Sequence, residues 1–463
     1  MITEIPSLRR LLLLILFQLT ILSMQAQRSY RYENFGNRSV LLNGNVTGSV
    51  NDLGGVFYNP ARLAIIENPK FSVEGRFYER TEVNVNDFLG AGINIENKQF
   101  NALPGLMAAA TSIGSEKIYF SFMLRNRINI SSSFDSGILD ENNTDNIAPG
   151  ILFNADAAID INLREEWFGL SWAKKISDNF SVGISTFLSF YNYSGGDSFD
   201  FIISENDQNL LQFNGDLKYT QASTGLFGKV SAAWQQKHLS MGLTIDLPYI
   251  ELRDDSSFNS KDFFTDRVTN EDIFTINQFS GLVARRKVPL GINFGAGIPI
   301  GKSTLHLNTD WHAGVGSYDR IEIPPLESTT EPTTLIEAKE KLNPVWNIGA
   351  GAEIFISEKI NTYLSFTTDH SPLNPEDTFL NGGNNFGESN ILTLDYLHLG
   401  GGVGLTFKSF AITLGAVNTS GSGDFERSIT LPVGVDNFDD TDLNIKVDRW
   451  RFLVGFNFSG FGL

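Results

Sequence analysis

The chain has 463 residues, of which 41% are hydrophobic and 19% charged, with 43 Gly, 37 Phe and no Cys. Its 53 acidic residues outnumber 35 basic ones, for a formal charge of −18, and this argues against a nucleic-acid binder, which needs a basic face to neutralise phosphates. The lack of cysteine excludes disulfide frameworks, thiolate nucleophiles and cysteine-ligated zinc or iron–sulfur centres, and 12% aromatic residues with abundant glycine point toward β structure.

In chain order, the first feature is an address. Arg9 and Arg10 precede an apolar run from Leu11 to Leu22, and Ser23-Met24-Gln25-Ala26-Gln27 follows. A basic start, a short apolar stretch and a small residue at a cut site are expected of a secretory signal peptide over residues 1–26. The run is shorter than the ~20 apolar residues of a spanning helix, and no later segment supplies one.

Residues 27–69 do not alternate. They are rich in Gly and Asn (Gly36, Asn37, Gly44, Asn45, Gly48, Gly54, Gly55) and contain the apolar patches Val56-Phe57-Tyr58 and Leu63-Ala64-Ile65-Ile66. Such a segment is either a plug packed within a larger shell or an unstructured leader, and its apolar patches favour the plug.

From residue 70 to 463 one pattern recurs. In His238–Leu247 the residues Leu239, Met241, Leu243, Ile245 and Leu247 alternate with polar or small ones, and Phe180–Phe190, Val288–Ile300, Leu397–Phe407 and Trp450–Phe458 repeat the theme. Period two means a strand with one greasy and one polar face. A soluble sandwich also alternates, but three features favour a transmembrane antiparallel β-barrel. The strands approach the ~9–11 residues that cross a bilayer when tilted. Their polar faces are Gly, Ser, Thr and Asn, as in a lumen. Short turns near 114–116, 176–179, 235–237, 301–303, 357–359 and 408–409 alternate with long polar loops near 83–95, 132–152, 193–215, 253–274, 317–342, 370–390 and 418–442. These connections predict about 14 strands with both ends on the short-turn, periplasmic side.

Asn59-Pro60-Ala61, preceded by Asp52-Leu53-Gly54-Gly55-Val56-Phe57-Tyr58 and followed by Leu63-Ala64, resembles the Asn-Pro-Ala signature of the long-chain fatty-acid outer-membrane transporter family. The specific part of the resemblance covers residues 40–75, and the rest of the chain shares only the strand layout. It implies an N-terminal hatch containing Asn59, Pro60 and Ala61, placed just before the first strand. It also implies passive passage of hydrophobic, fatty-acid-like compounds past that hatch and through a gap made by an inward kink in an early strand. No ligand-contacting position of the family can be matched here. The end of the chain also departs from the usual barrel ending, because Ser459-Gly460-Phe461-Gly462-Leu463 follows Phe458.

Other motifs yield to bland readings. Gly297-Ile298-Pro299-Ile300-Gly301-Lys302-Ser303 lacks the first glycine of a phosphate loop, and strand-like residues follow it instead of a helix, so a hairpin turn is expected. Gly400-Gly401-Gly402-Val403-Gly404 lies inside an alternating strand. The acidic runs 140–145 and 436–442 lack the glycine of the twelve-residue calcium loop. His306 and His312 have no third partner in the pattern, and no Gly-x-Ser-x-Gly elbow appears. The expectation is therefore a non-enzymatic barrel of the cell outer membrane, with no cofactor and no metal. Its partners are membrane lipid and a hydrophobic small molecule. The alternative is a barrel that binds a partner protein for secretion or surface assembly.

Overall fold

Alternating side chains build the whole wall. In the computed structural model, residues 30–458 are described except 67–70, 89–90, 100–102, 115, 136, 139, 141, 143–148, 206–207, 268–270, 328–335, 374–379, 382–393 and 426–442. The signal-peptide expectation over 1–26, and most of both acidic runs, lie outside the described residues.

The strands are β1 (Phe71–Phe88), β2 (Ala91–Gln99), β3 (Leu103–Ile113), β4 (Glu116–Asp135), β5 (Ile151–Lys175), β6 (Phe180–Glu205), β7 (Gln208–Gln236), β8 (Leu239–Asp246), β9 (Ile250–Asp266) and β10 (Glu271–Ser280). They continue with β11 (Gly291–Ile300), β12 (Ser303–His312), β13 (Val315–Ile321), β14 (Glu337–Leu342), β15 (Val345–Ser357), β16 (Ile360–Asp369), β17 (Leu380–Asn381), β18 (Tyr396–Thr406), β19 (Phe410–Phe425) and β20 (Leu443–Phe458). Three wall strands are interrupted, so that β2 with β3, β8 with β9 and β10 with β11 each act as one. The large sheet is thus a barrel of 14 antiparallel strands. It closes where β1 pairs with β20, from Phe71 opposite Phe458 to Asn86 opposite Asn444. Closure leaves no lipid-facing edge whose amides would go unpaired.

β6 shows how the faces divide. Ser181, Gly183, Ser185, Phe187 and Ser189 are buried and point inward, while Val182, Ile184, Leu188 and Phe190 point outward. Ile184 and Phe190, on β6, are 42% and 36% exposed, and Trp450 and Phe452 on β20 are 43% and 46% exposed. A water-soluble protein would not leave such a belt in contact with solvent. From Val182 to Phe190 a strand rises ~26 Å along its axis and ~20 Å once tilted, close to the ~25 Å apolar band of an outer-membrane barrel. No helix among the described residues is long and apolar enough to cross a membrane.

The short turns fall where the sequence places them, at 114, 176–179, 237–238, 301–302, 358–359 and 407–409. The segment Gly297–Ser303 forms the β11–β12 hairpin as expected, and the glycine run lies within β18. The long loops are different. β5, β6 and β7 run for 25, 26 and 29 residues, so nearly all of the segment expected to be a loop at 193–215 is continued strand, whereas at 132–152 only 132–135 and 151–152 are. Apolar alternation ends where lipid ends, whereas backbone pairing needs no apolar face and continues into water.

Inside the barrel lies the N-terminal segment. It has a short helix at Asn37–Leu41, a second at Gly55–Tyr58 and a 3-10 helix at Pro60–Ala64. Its centre is the Asp52 carboxylate, which accepts from Arg38 N (2.9 Å), Ser39 N (3.0 Å), Ser39 Oγ (2.9 Å) and Gly54 N (3.0 Å). Phe35, Leu53, Val56 and Leu63 pack on Leu106, Tyr119, Met123, Trp167, Phe187 and Phe227 on one side of the wall. Val40, Leu41, Leu42 and Val50 pack on Tyr363, Val417 and Leu453 on the other.

Candidate functional site

Asn59, Pro60 and Ala61 sit where this inner segment meets β6, β7 and β8. Asn59 is fully buried; its Oδ1 accepts from Ala61 N (3.1 Å), and its Nδ2 donates to Thr47 O (2.8 Å) and Ala232 O (3.2 Å). Ser231 Oγ accepts from Ala61 N (2.8 Å), Ser181 Oγ donates to Ala61 O (2.8 Å) and Thr244 Oγ1 donates to Tyr58 O (2.8 Å). Pro60 occupies the first turn of the 3-10 helix, where its missing N–H costs nothing. Two wall glycines permit the approach. A Cβ on Gly183 would lie 2.4 Å from Ala61 N, and one on Gly242 would lie 2.1 Å from Thr47 O, both backbone atoms that cannot swing away. The tripeptide therefore docks the segment on the wall.

Opposite, ion pairs hold the segment. Glu33 accepts from Arg449 Nη2 (3.0 Å) and Arg451 Nη1 (2.7 Å), and Arg449 also reaches Glu79 through Nε (2.9 Å) and stacks over Tyr32 at 4.3 Å. Arg31 pairs with Asp310, Tyr30 stacks on His312 at 3.6 Å, and Ser49 Oγ bonds His306 Nδ1 at 2.7 Å. The two histidines thus each serve the segment, and no group of metal ligands occurs among the described residues. Among the described residues Arg62 donates to neutral acceptors, Val50 O and Gln235 Oε1; burial, with Arg38 nearby, lowers its pKa to about 10.

Above this floor is a chamber of about 190 Å³. Its apolar wall includes Phe57, Trp167, Phe227 and Tyr191, with Trp167 4.8 Å from Phe227 and 6.1 Å from Phe57, ring centre to ring centre. Cations lie against these rings: Lys229 Nζ is 4.3 Å from the Phe57 centroid and Arg125 5.4 Å from it, while Arg286 is 4.4 Å from Tyr191 and 4.7 Å from Tyr249. Over the chamber, Val83, Ile161, Tyr193, Tyr219, Phe258, Ala284, Ile321, Ala338, Leu394 and Val447 form one apolar cluster drawn from around the barrel. The β13–β14 hairpin is part of it. Ile321 bridges to Ala284, and Arg320 donates to Gln221 Oε1 (2.8 Å) and Tyr191 Oη (3.1 Å). The two ends of the expected loop at 317–342 are thus paired strands folded inward as a cover.

The chamber also meets a break in the wall. β3 pairs with β4 from Ile113–Glu116 up to Leu106–Met123, and β2 pairs with β1. Beyond Met123, β4 has its ladder partner in β5 alone among the described residues, with a bulge between Leu124 and Asn126. Ile128 faces inward and Arg127 outward, yet both line the chamber, because it reaches the open edge here. The outward residues opposite, Arg164 and Glu166, are polar while Phe168 is apolar, so the break begins at the upper rim of the greasy belt.

Sequence reasoning reached the Asn59 motif with Phe57 and Tyr58 beside it, but assigned no residue to contact a ligand and missed the wall residues of the chamber. Their one signal was a charged residue on the Gly/Ser parity of a strand, as at Lys229 two positions from Phe227.

No protein-family model matches the sequence, and no curated protein matches it. Solved structures do. The Pseudomonas putida toluene transporter TodX aligns with a TM-score of 0.55 over 93% of this chain and 100% of its own, at 10% identity. A Pseudomonas aeruginosa FadL homologue gives 0.54 over 93% and 100%, also at 10% identity. This chain has the FadL fold. The CymD monoaromatic hydrocarbon channel shares it at a TM-score of 0.53, with 10% identity over 93% of this chain and 98% of that one. The likeness is one of fold, over 93% of this chain with about one residue in ten identical.

Proposed function

We propose that this protein is a passive outer-membrane channel for small hydrophobic compounds, with residues 30–66 as its hatch. The observation that carries the proposal is the aromatic chamber that meets a wall break at the rim of the lipid-facing belt. A compound held there leaves sideways into lipid without crossing water, and the hatch keeps the direct way to the periplasm shut. The hydrocarbon channels that share the fold support this reading.

Size argues for compact cargo. A cavity of ~150 Å³ holds benzene, and 190 Å³ suits a substituted ring better than an extended long alkyl chain. Burying the ~150–250 Å² of an aromatic ring at ~25 cal/mol per Å² gives ~4–6 kcal/mol. That corresponds to dissociation constants from about millimolar to tens of micromolar, weak enough for release.

The test is uptake of labelled ethylbenzene by cells that carry the protein in their outer membrane. Wild type is expected to raise uptake well above empty-vector cells. Ile128→Trp, which fills the mouth of the break, should lose about tenfold while still folding as a heat-modifiable barrel. Uptake by wild type no greater than background overturns the proposal.

A further inference from the structure

We infer that the short-turn end of the barrel is a lysine ring that binds the anionic phosphodiester headgroups of the leaflet around it. Each of the six short turns carries lysine at or beside it. These are Lys117 at β3–β4, Lys174 and Lys175 at β5–β6, Lys237 at β7–β8, Lys302 at β11–β12, Lys359 at β15–β16 and Lys408 at β18–β19. All seven are exposed. The same turns hold no arginine and three acids, Glu116, Asp178 and Glu358. In a chain with a formal charge of −18, a cationic end is a local feature and not a reflection of composition.

The three acids do not use up the ring. Glu116 pairs with Lys174 (3.1 Å), Asp178 with Lys175 (3.7 Å) and Glu358 with Lys302 (2.6 Å). Lys117, Lys237, Lys359 and Lys408, on four separate turns, have no ion-pair partner among the described residues. The opposite rim is built differently, for there Arg80 pairs with Glu82 and Arg164 with Glu166.

The shape of the ring decides what meets it. The turns are spread around a closed wall, so a protein partner would have to cap the whole end to reach all four lysines. A bilayer surrounds the barrel and reaches them all. The level agrees as well. Ile113, Ile176, Ile300, Ile356 and Phe407, at these same turns, are exposed and form the lower edge of the greasy belt. A lysine at that edge lays its methylene stem on apolar surface and carries its ammonium into the headgroup layer. Anionic leaflets attract such basic residues, and the attraction fades within a Debye length.

The protein supplies its own reporters. Trp172 and Trp234 lie on the outward face near the short turns, and Trp311, Trp346 and Trp450 lie on it at the other rim. One variant keeps the lower pair (Trp167→Phe, Trp311→Phe, Trp346→Phe, Trp450→Phe), and a second keeps the upper three (Trp167→Phe, Trp172→Phe, Trp234→Phe). Each full-length chain is reconstituted in symmetric vesicles of phosphatidylcholine and phosphatidylglycerol, where the direction of insertion does not matter. Fluorescence quenching is compared with bromine on the acyl chains of one lipid or of the other.

The lower pair should report phosphatidylglycerol enriched about threefold or more over phosphatidylcholine, and the upper three a ratio near one. Lys117→Gln, Lys237→Gln, Lys359→Gln and Lys408→Gln together should bring the lower ratio to about one in a barrel that stays heat-modifiable. With all lysines in place, about 1 M NaCl, where the Debye length is ~3 Å, should do the same, which tests the inference even if the fourfold variant does not fold. Inorganic phosphate at constant ionic strength should change nothing. No preference at the lower pair, an equal preference at both rims, a preference that survives the four substitutions or the salt, or its loss to inorganic phosphate overturns the inference.

Discussion

Glu33 shows how much depends on single side chains inside this barrel. It is buried and faces two arginines, Arg449 and Arg451, that are themselves 1% and 2% exposed. Removing one partner of a buried pair leaves charge without compensation and costs ~3–5 kcal/mol. Glu33→Ala is therefore expected to loosen the N-terminal segment, and trypsin should then cleave after Arg31, Arg38 or Arg62, which are all buried in the intact protein. Unchanged protection under native conditions would show that the ion pair does not hold the segment. The sequence discloses Asn59-Pro60-Ala61 because a cap, a proline and a small residue are local chemistry. It is silent on Glu33 and Arg286, whose partners lie 416 and 121 positions away.

At the scale of elements, strands were legible and covers were not. Period two identifies β8, β11 and β18 because lipid demands an apolar face at every second residue. The β13–β14 hairpin carries Asp319, Arg320, Glu337 and Lys339 among few apolar residues and reads as solvent loop, yet its Ile321 and Ala338 enter the cluster over the chamber. Since the chain has no cysteine, Ala284→Cys with Ile321→Cys tests this cover cleanly. Oxidation should block ethylbenzene uptake and reduction should restore it; uptake unaffected by oxidation would place the way in elsewhere. A second device stands beyond β16, where His370 Nδ1 meets Asp395 Oδ2 at 3.0 Å. That hydrogen bond to Asp395 raises the histidine's pKa. The contribution is therefore complete below pH 6.5 and is lost as pH climbs through the higher folded value. Asp395 is half exposed, so the effect stays within ~1 kcal/mol. The protection factor of the Ser371 N–H, which donates to Asp395 Oδ1, should fall between pH 6 and pH 9 in wild type once the base-catalysed intrinsic rate is divided out, and should stay constant with pH in His370→Gln.

At the scale of the whole molecule, the strand count and the placing of both ends at the short-turn end of the barrel could be read because a closed sheet leaves little freedom: an even number of strands returns the end of the chain beside its beginning, as Phe71 opposite Phe458 shows. The height of the wall could not be read, since β5, β6 and β7 outrun their greasy stretch by pairing through water. That height has a consequence for where cargo is delivered. Tyr191 and Tyr193 of the chamber follow directly on Phe190, the last outward aromatic of β6. The upper end of the chamber therefore stands at the rim of the greasy belt, while Phe227 and Lys229, opposite Phe187 and Ser185, carry its floor down toward the belt's middle. On the channel function proposed above, molecules let out at the rim would join one leaflet only, the amount accumulated would be fixed by their partition between that leaflet and the medium, and the rate at which the cell consumes them would govern the net inward flow.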